Sequence, residues 1–134
     1  MVELVNQPKE ILAGNDGIVI RKYIDGIEGG RALDITDFKA KTGTSVVKAG
    51  AFIIKDGDAY KVAPLATGGE AYDSTFAAAK VVGVLVATID AAKEGAGIMI
   101  NGKVNKAVLP YGGSDKAAAV AAVLSNIQFM EDGE

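Results

Sequence analysis

The run Lys80-Val81-Val82-Gly83-Val84-Leu85-Val86-Ala87-Thr88 constrains this chain more than any other stretch. It is almost continuously apolar and rich in β-branched residues, the pattern of a strand buried on both faces. Gly83 interrupts it where a side chain would crowd a neighbour. A small-residue loop, Ile89 to Gly97, leads to a second apolar run, Ile98-Met99-Ile100, which should pair beside the first. Asn101-Gly102 then reads as a turn and Lys103 to Leu109 as a semi-extended segment. The remainder is an alanine-rich helix feeding a short strand, Ile127 to Met130. Ser114 is placed to cap that helix, with Asp115 in its first turn. Ala117, Val120, Leu124 and Ile127 recur at helical spacing, which gives one face to dock on a sheet.

Upstream, Phe52 to Lys55 and Ala59 to Val62 flank Asp56-Gly57-Asp58 and predict a hairpin closed by Pro64. Ile18 to Ile24 predicts a strand ending at Asp25-Gly26. Arg31 to Ile35 predicts another, beyond Glu28-Gly29-Gly30. The window Lys39 to Lys48 reads as an edge or loop, and residues 66–79 as a linker with at most one helical turn. Residues 1–16 form an arm closed by Asn15-Asp16-Gly17. Val2, Leu4, Val5, Ile11 and Leu12 lack a sustained period, and Pro8 denies a backbone donor. Such an arm is either a frayed terminus or a segment that orders against a neighbour by strand addition.

The chain of 134 residues fits one domain, residues 17–134 behind the arm, and can bury roughly two-thirds of its unfolded surface. Its apolar content comes mainly from Ala, Val, Ile and Leu, and its 17 glycines favour short strands and tight turns. The expected class is therefore a β-rich α+β domain with a docked C-terminal helix. The net charge of −3 and the want of a basic block argue against nucleic-acid binding. No apolar run reaches membrane-spanning length, and Met1 to Glu10 lacks the pattern of a signal peptide.

With no histidine and no cysteine, most metal sites, the Ser-His-Asp arrangement and thiol nucleophiles are excluded. Lys41-Thr42-Gly43 and Ser45-Val46-Val47-Lys48 match fragments of the penicillin-binding signatures, but they overlap and no Ser-Asp-Asn accompanies them. A polar turn explains them better. Asp56-Gly57-Asp58, with Asp34 and Asp37, lacks the ligand spacing of a calcium loop. The pairs Gly29-Gly30, Gly68-Gly69 and Gly112-Gly113 lack phosphate-loop spacing, though an anion at Gly112-Gly113 is conceivable. Asp73, Asp90 and Glu94 read as solvated carboxylates. No catalytic residue, cofactor or metal is expected.

Several segments carry a resemblance. They are Val82-Gly83-Val84-Leu85, Ile98 to Asn105, Val108-Leu109, the alanine-rich helix and Ile127-Gln128-Phe129. Together with Val47-Lys48-Ala49-Gly50 and Tyr72-Asp73, they resemble the head decoration proteins of tailed bacteriophages, the lambda-type capsid-stabilising family and related small head proteins. The likeness runs from Val47 to Met130. It implies a small mixed β-sheet or barrel-like (β-tulip-type) fold assembled as a homotrimer. The trimer would sit on the outer surface of the expanded head and clamp neighbouring subunits of the major capsid protein. It would be made in the bacterial host cytoplasm and localise to the virion. The capsid-contact arm would comprise Val2, Leu4, Val5, Pro8, Ile11 and Leu12. The other readings are a head-fibre or tail-associated structural protein, and a small ligand-binding β domain with a defined apolar cavity.

Overall fold

The computed structural model describes residues 19–74 and 76–130. Its central element is the predicted buried strand, here β5 (Val81–Leu85), with Val84 and Leu85 both inaccessible to solvent. Before it come β1 (Ile20–Arg31), α1 (Thr36–Thr42), β2 (Val46–Val47), β3 (Phe52–Asp56) and β4 (Ala59–Val62). After it come β6 (Ile89–Asp90), β7 (Ala96–Asn105), α2 (Ala117–Val123) and β8 (Ile127–Met130). The main sheet has the order β1-β7-β5-β3-β4, all antiparallel, while β8 joins β7 in parallel along Gly102 to Asn105. A two-stranded ladder of β2 and β6 stands apart.

The sheet is mixed but open. Its ends, β1 and β4, are not paired as strands. A single bridge from Leu33 to Tyr60, with Asp34 N–H donating to Tyr60 O at 2.8 Å, links the chain just past β1 to β4. A closed barrel is therefore not formed.

The hairpin lies where the sequence puts it. Asp56 pairs with Ala59 across the two-residue turn Gly57-Asp58, and Gly57 has φ +61°, the left-handed value a type II′ turn requires at its first position. Ile98 and Met99 pair with Leu85 and Val84, also as expected. At Gly83 a Cβ would lie 2.7 Å from Met99 O and against Ile98 Cγ2, so the crowding inferred from sequence is present.

Five expectations are overturned. Asn101-Gly102 is not a turn: β7 runs through it, and Gly102 allows close approach to Lys22 O and Met99 Sδ. Asp25-Gly26 does not end a strand, and no second strand spans Arg31 to Ile35. Instead β1 continues for 12 residues, kept in register with β7 by bulges rather than broken at its glycines. The window from Lys39 opens inside a helix, α1, whose start is tied down by Asp34 and whose end is Gly43, in left-handed backbone (φ +75°). The C-terminal helix has seven residues, and Ser114 does not cap it. Ser114 and Asp115 belong to a preceding 3-10 turn, and Lys116 occupies the cap position without a side-chain bond.

Phe52, Ile53 and Ile54 are consecutive and buried, so both faces of β3 are covered. One apolar core joins the sheet, α1 through Phe38, and α2 through Ala117 and Val120. All four phenylalanines enter a connected aromatic cluster. Phe52 stacks on Tyr72 at 5.5 Å and meets Phe76 at 5.9 Å and Phe129 at 6.0 Å, edge-on in the last case. Tyr111 extends it from Tyr72 to Phe38. The linker expected at residues 66–79 thus supplies Tyr72 and Phe76 to the core.

Tyr72 also satisfies a buried backbone group: Phe52 N–H donates to its hydroxyl oxygen at 2.9 Å. Burial pushes the Tyr72 phenol well above its ordinary value. A raised folded value keeps its stabilising contribution whole below about pH 10, the value in the unfolded chain, and removes it as pH climbs through the folded value. Tyr72→Phe should orphan the Phe52 N–H and lower stability by about 1–3 kcal/mol at neutral pH. It should also flatten the loss of stability above about pH 10. Urea melts across pH check both effects.

Candidate interaction surfaces

The arm residues Val2, Leu4, Val5, Pro8, Ile11 and Leu12 lie outside the described residues. The first strand of the described residues, β1, stands at one end of the main sheet. In β1, Arg21 and Ile24 are each an extra residue opposite β7, because Ile20 pairs with Val104, Lys22 with Lys103, Tyr23 with Gly102 and Asp25 with Asn101. Such bulges twist an edge and interrupt its run of free backbone groups. They also leave large apolar side chains in solvent: Tyr23 is 55% and Ile24 52% exposed.

A second apolar surface belongs to α2. Its sequence, Ala-Ala-Ala-Val-Ala-Ala-Val, contains no polar side chain. Ala117 and Val120 face the core, and the helix packs on β8 and the 3-10 turn Ala78–Lys80. Ala118, Ala119, Ala122 and Val123 are left exposed. A solvated helix ordinarily carries charge on that side.

The described residues also form an open cleft of about 450 Å3 between α1, the β3–β4 hairpin and the following linker. Phe38, Ile54, Val62 and Leu65 give it an apolar floor, and Asp34, Asp56, Lys41 and Lys61 stand among its polar groups. These four are engaged with the protein itself. Lys61 Nζ lies 3.3 Å from Asp56 Oδ2, Lys41 Nζ donates to Leu65 O at 3.2 Å, and Asp34 Oδ1 accepts from Thr36 N–H and Oγ1. The Thr36 backbone bond, aided by its hydroxyl, holds the Asp34 carboxyl below the usual carboxylate value.

Asp90, read from sequence as a solvated loop carboxylate, is instead part of β6 and organises the small ladder. Its Oδ1 accepts from Ser45 Oγ at 2.6 Å and from Ala92 N–H at 3.2 Å. The Ser45 hydroxyl is the main reason its carboxyl is held below the ordinary value; desolvation opposes this, while Ala92 N–H, Lys93 and Lys39 add to it. A lowered folded value gives a contribution present above the unfolded value and lost as pH falls through the folded one. In Ser45→Ala the Asp90 midpoint should rise toward the ordinary carboxylate range. Side-chain carboxyl NMR would read this, and an unmoved midpoint would show that the serine does not set it. The Ser45 hydroxyl thus ties the residue before β2 to β6 across the small ladder.

Lys41-Thr42-Gly43 forms the end of α1, where Thr42 Oγ1 donates to Phe38 O at 2.9 Å. Asp56-Gly57-Asp58 is the hairpin turn. Gly112 and Gly113 enter a 3-10 turn, and a Cβ on Gly113 would sit 2.9 Å from Leu109 Cβ. Among the described residues no group of three or more acidic, histidine or cysteine side chains could hold a metal ion, and no helix is long and apolar enough to cross a membrane. The sequence could have signalled the α2 surface, since a helix without polar residues must expose apolar ones. It could not signal the β1 surface, which depends on bulges that alter the alternation of faces. No protein-family model matches this chain, nor does any curated protein or solved structure.

Proposed function

We propose that this chain is a structural virion protein of a tailed bacteriophage. It binds the exterior of the expanded head as a homotrimer and stabilises contacts between major capsid protein subunits. The observation that carries this reading is the exposed, wholly apolar side of α2. A surface of Ala118, Ala119, Ala122 and Val123 suits close approach of another protein better than contact with water. Tyr23 and Ile24 on β1 supply a second apolar surface for a lattice-bound protein. The open sheet, bridged between its ends by Leu33 and Tyr60, is compatible with a barrel-like relative of the decoration fold.

In this reading the protein adds no chemistry. It binds the mature lattice, stabilises that state by mass action, and links neighbouring subunits through repeated contacts. A three-fold ring uses the same heterologous contact three times. The cleft favours a second reading, a ligand-binding β domain. Four of its polar groups, Asp34, Asp56, Lys41 and Lys61, are already bonded within the protein, which makes that reading the weaker one.

The test is to mix the purified chain with expanded heads and with unexpanded proheads of its phage. Binding to expanded heads alone is expected, with a trimer seen by sedimentation in solution or on the lattice. Equal binding to both, or to neither, would overturn the proposal. Removing residues 1–12 should leave a cooperatively folding protein with sharply weaker head binding. Unchanged binding would remove the arm from the contact.

A further inference from the structure

The outer face of the sheet carries a row in which Lys22 of β1 stands directly opposite Lys103 of β7, and Lys103 directly opposite Gln128 of β8. The adjacent rows, Ile20–Val104–Phe129 and Tyr23–Gly102–Ile127, include Val104, Gly102 and Ile127, all buried. Successive residues of a strand point to opposite faces, so on β7 and β8 Lys103 and Gln128 face out, and Lys22, paired with Lys103, is itself exposed. Lys22 and Gln128 are exposed and Lys103 half-buried.

Like charges directly opposite on neighbouring strands repel. Among the described residues neither lysine has an ion-pair or hydrogen-bond partner. Asp25, opposite Asn101 on the same pair of strands, has its Oδ1 occupied by Gly26 N–H at 2.8 Å. A lysine on an end strand is a common guard against edge-to-edge pairing, which accounts for Lys22. It does not account for Lys103, whose strand is flanked by β1 on one side and β8 on the other.

We infer that the Lys22–Lys103–Gln128 row is a contact surface for a carboxylate-rich segment of a partner protein. One carboxylate lying between the two ammonium groups replaces their repulsion by two attractions, and the Gln128 amide adds a neutral donor. Ile24, beside the row on β1 and 52% exposed, gives such a segment an apolar neighbour. The inference concerns the chemistry of the partner and holds whether or not that partner is a capsid lattice. Two lysines suffice for one bridging carboxylate, whereas the regularly spaced phosphates of a nucleic acid call for an extended basic block, which the sequence lacks.

The experiment is an NMR titration of the full chain with a hexaglutamate peptide at low ionic strength, with a single-stranded oligonucleotide of equal charge in a parallel arm. Amide shifts should concentrate at residues 20–25, 101–104 and 127–129 and fade on adding salt. The Lys22→Gln, Lys103→Gln double variant should weaken peptide binding by about fivefold or more. Lys103→Glu should abolish it while raising the melting temperature of the free chain, because a like-charge pair becomes an opposite-charge pair. A purely structural role for Lys103 would not give that opposed result. Shifts centred on other lysines, no binding, unchanged affinity in the double variant, or tighter binding of the oligonucleotide to this row would each overturn the inference.

Discussion

Phe52→Ala is expected to destabilise the protein by about 3–5 kcal/mol, a large part of the roughly 5–15 kcal/mol that holds a domain of this size folded. Phe52 is inaccessible to solvent and contacts three other aromatic rings from two separate segments: Tyr72 and Phe76 from the linker and Phe129 from β8. Truncation removes the ring's burial and leaves a void that these neighbours fill only in part, because each is held elsewhere. Tyr72, for example, is fixed through its hydroxyl to the Phe52 backbone itself. Denaturant unfolding with unchanged slope and a much lower midpoint is the expected readout. A loss under about 1 kcal/mol would mean that the cluster repacks freely and does not tie the linker to the sheet.

Val120→Asp is expected to cost more than about 4 kcal/mol and to leave little cooperatively folded protein at neutral pH. Val120 has no accessible surface and lies at the centre of the inward face of α2, so a carboxylate there would be buried without a partner. Ala119→Asp, one residue away on the exposed side, should change stability by no more than about 0.5 kcal/mol. Circular dichroism melts of the pair separate a docked helix from one resting on the surface. The contrast is sharper than at Leu124, which the sequence places on the same face but which ends the helix half-buried. If the apolar exterior of α2 is a protein contact, Ala119→Asp should retain the fold while impairing association, a separation that Val120→Asp cannot give.

Legibility in the sequence followed the range of the interactions involved. The hairpin from Phe52 to Val62 was readable because an Asp-Gly turn between two β-rich runs is specified within a few residues. The pairing of β5 with β7 was readable because two apolar runs of that kind have few ways to be buried other than side by side. Helix α1 was not. Its seven residues bury only Phe38, which is too few apolar positions to establish a period, and its ends are set by Asp34 and Gly43. Ser114 was credited with a cap because the residue type fits, whereas a 3-10 turn displaces the start of α2 to Ala117. Among the candidate contacts, the apolar character of α2 was written in its residues. The facing of Lys22 and Lys103 was not, since it depends on a cross-strand register between segments about eighty positions apart.

The amino-acid sequence by itself determined the strand-rich class, the hairpin, the two adjoining apolar strands and the terminal helix followed by a strand. These rest on turn chemistry and apolar patterning that act between near neighbours. Tertiary structure alone decided that β1 runs unbroken through its glycines and that Asn101-Gly102 is strand. It also decided that the linker aromatics gather on Phe52 and that two lysines share a row on the outer face. Each of those outcomes depends on what a distant segment offers as a hydrogen-bond ladder or a packing partner, and burial against that partner outweighs the weak local preference of a glycine or a polar residue for a turn.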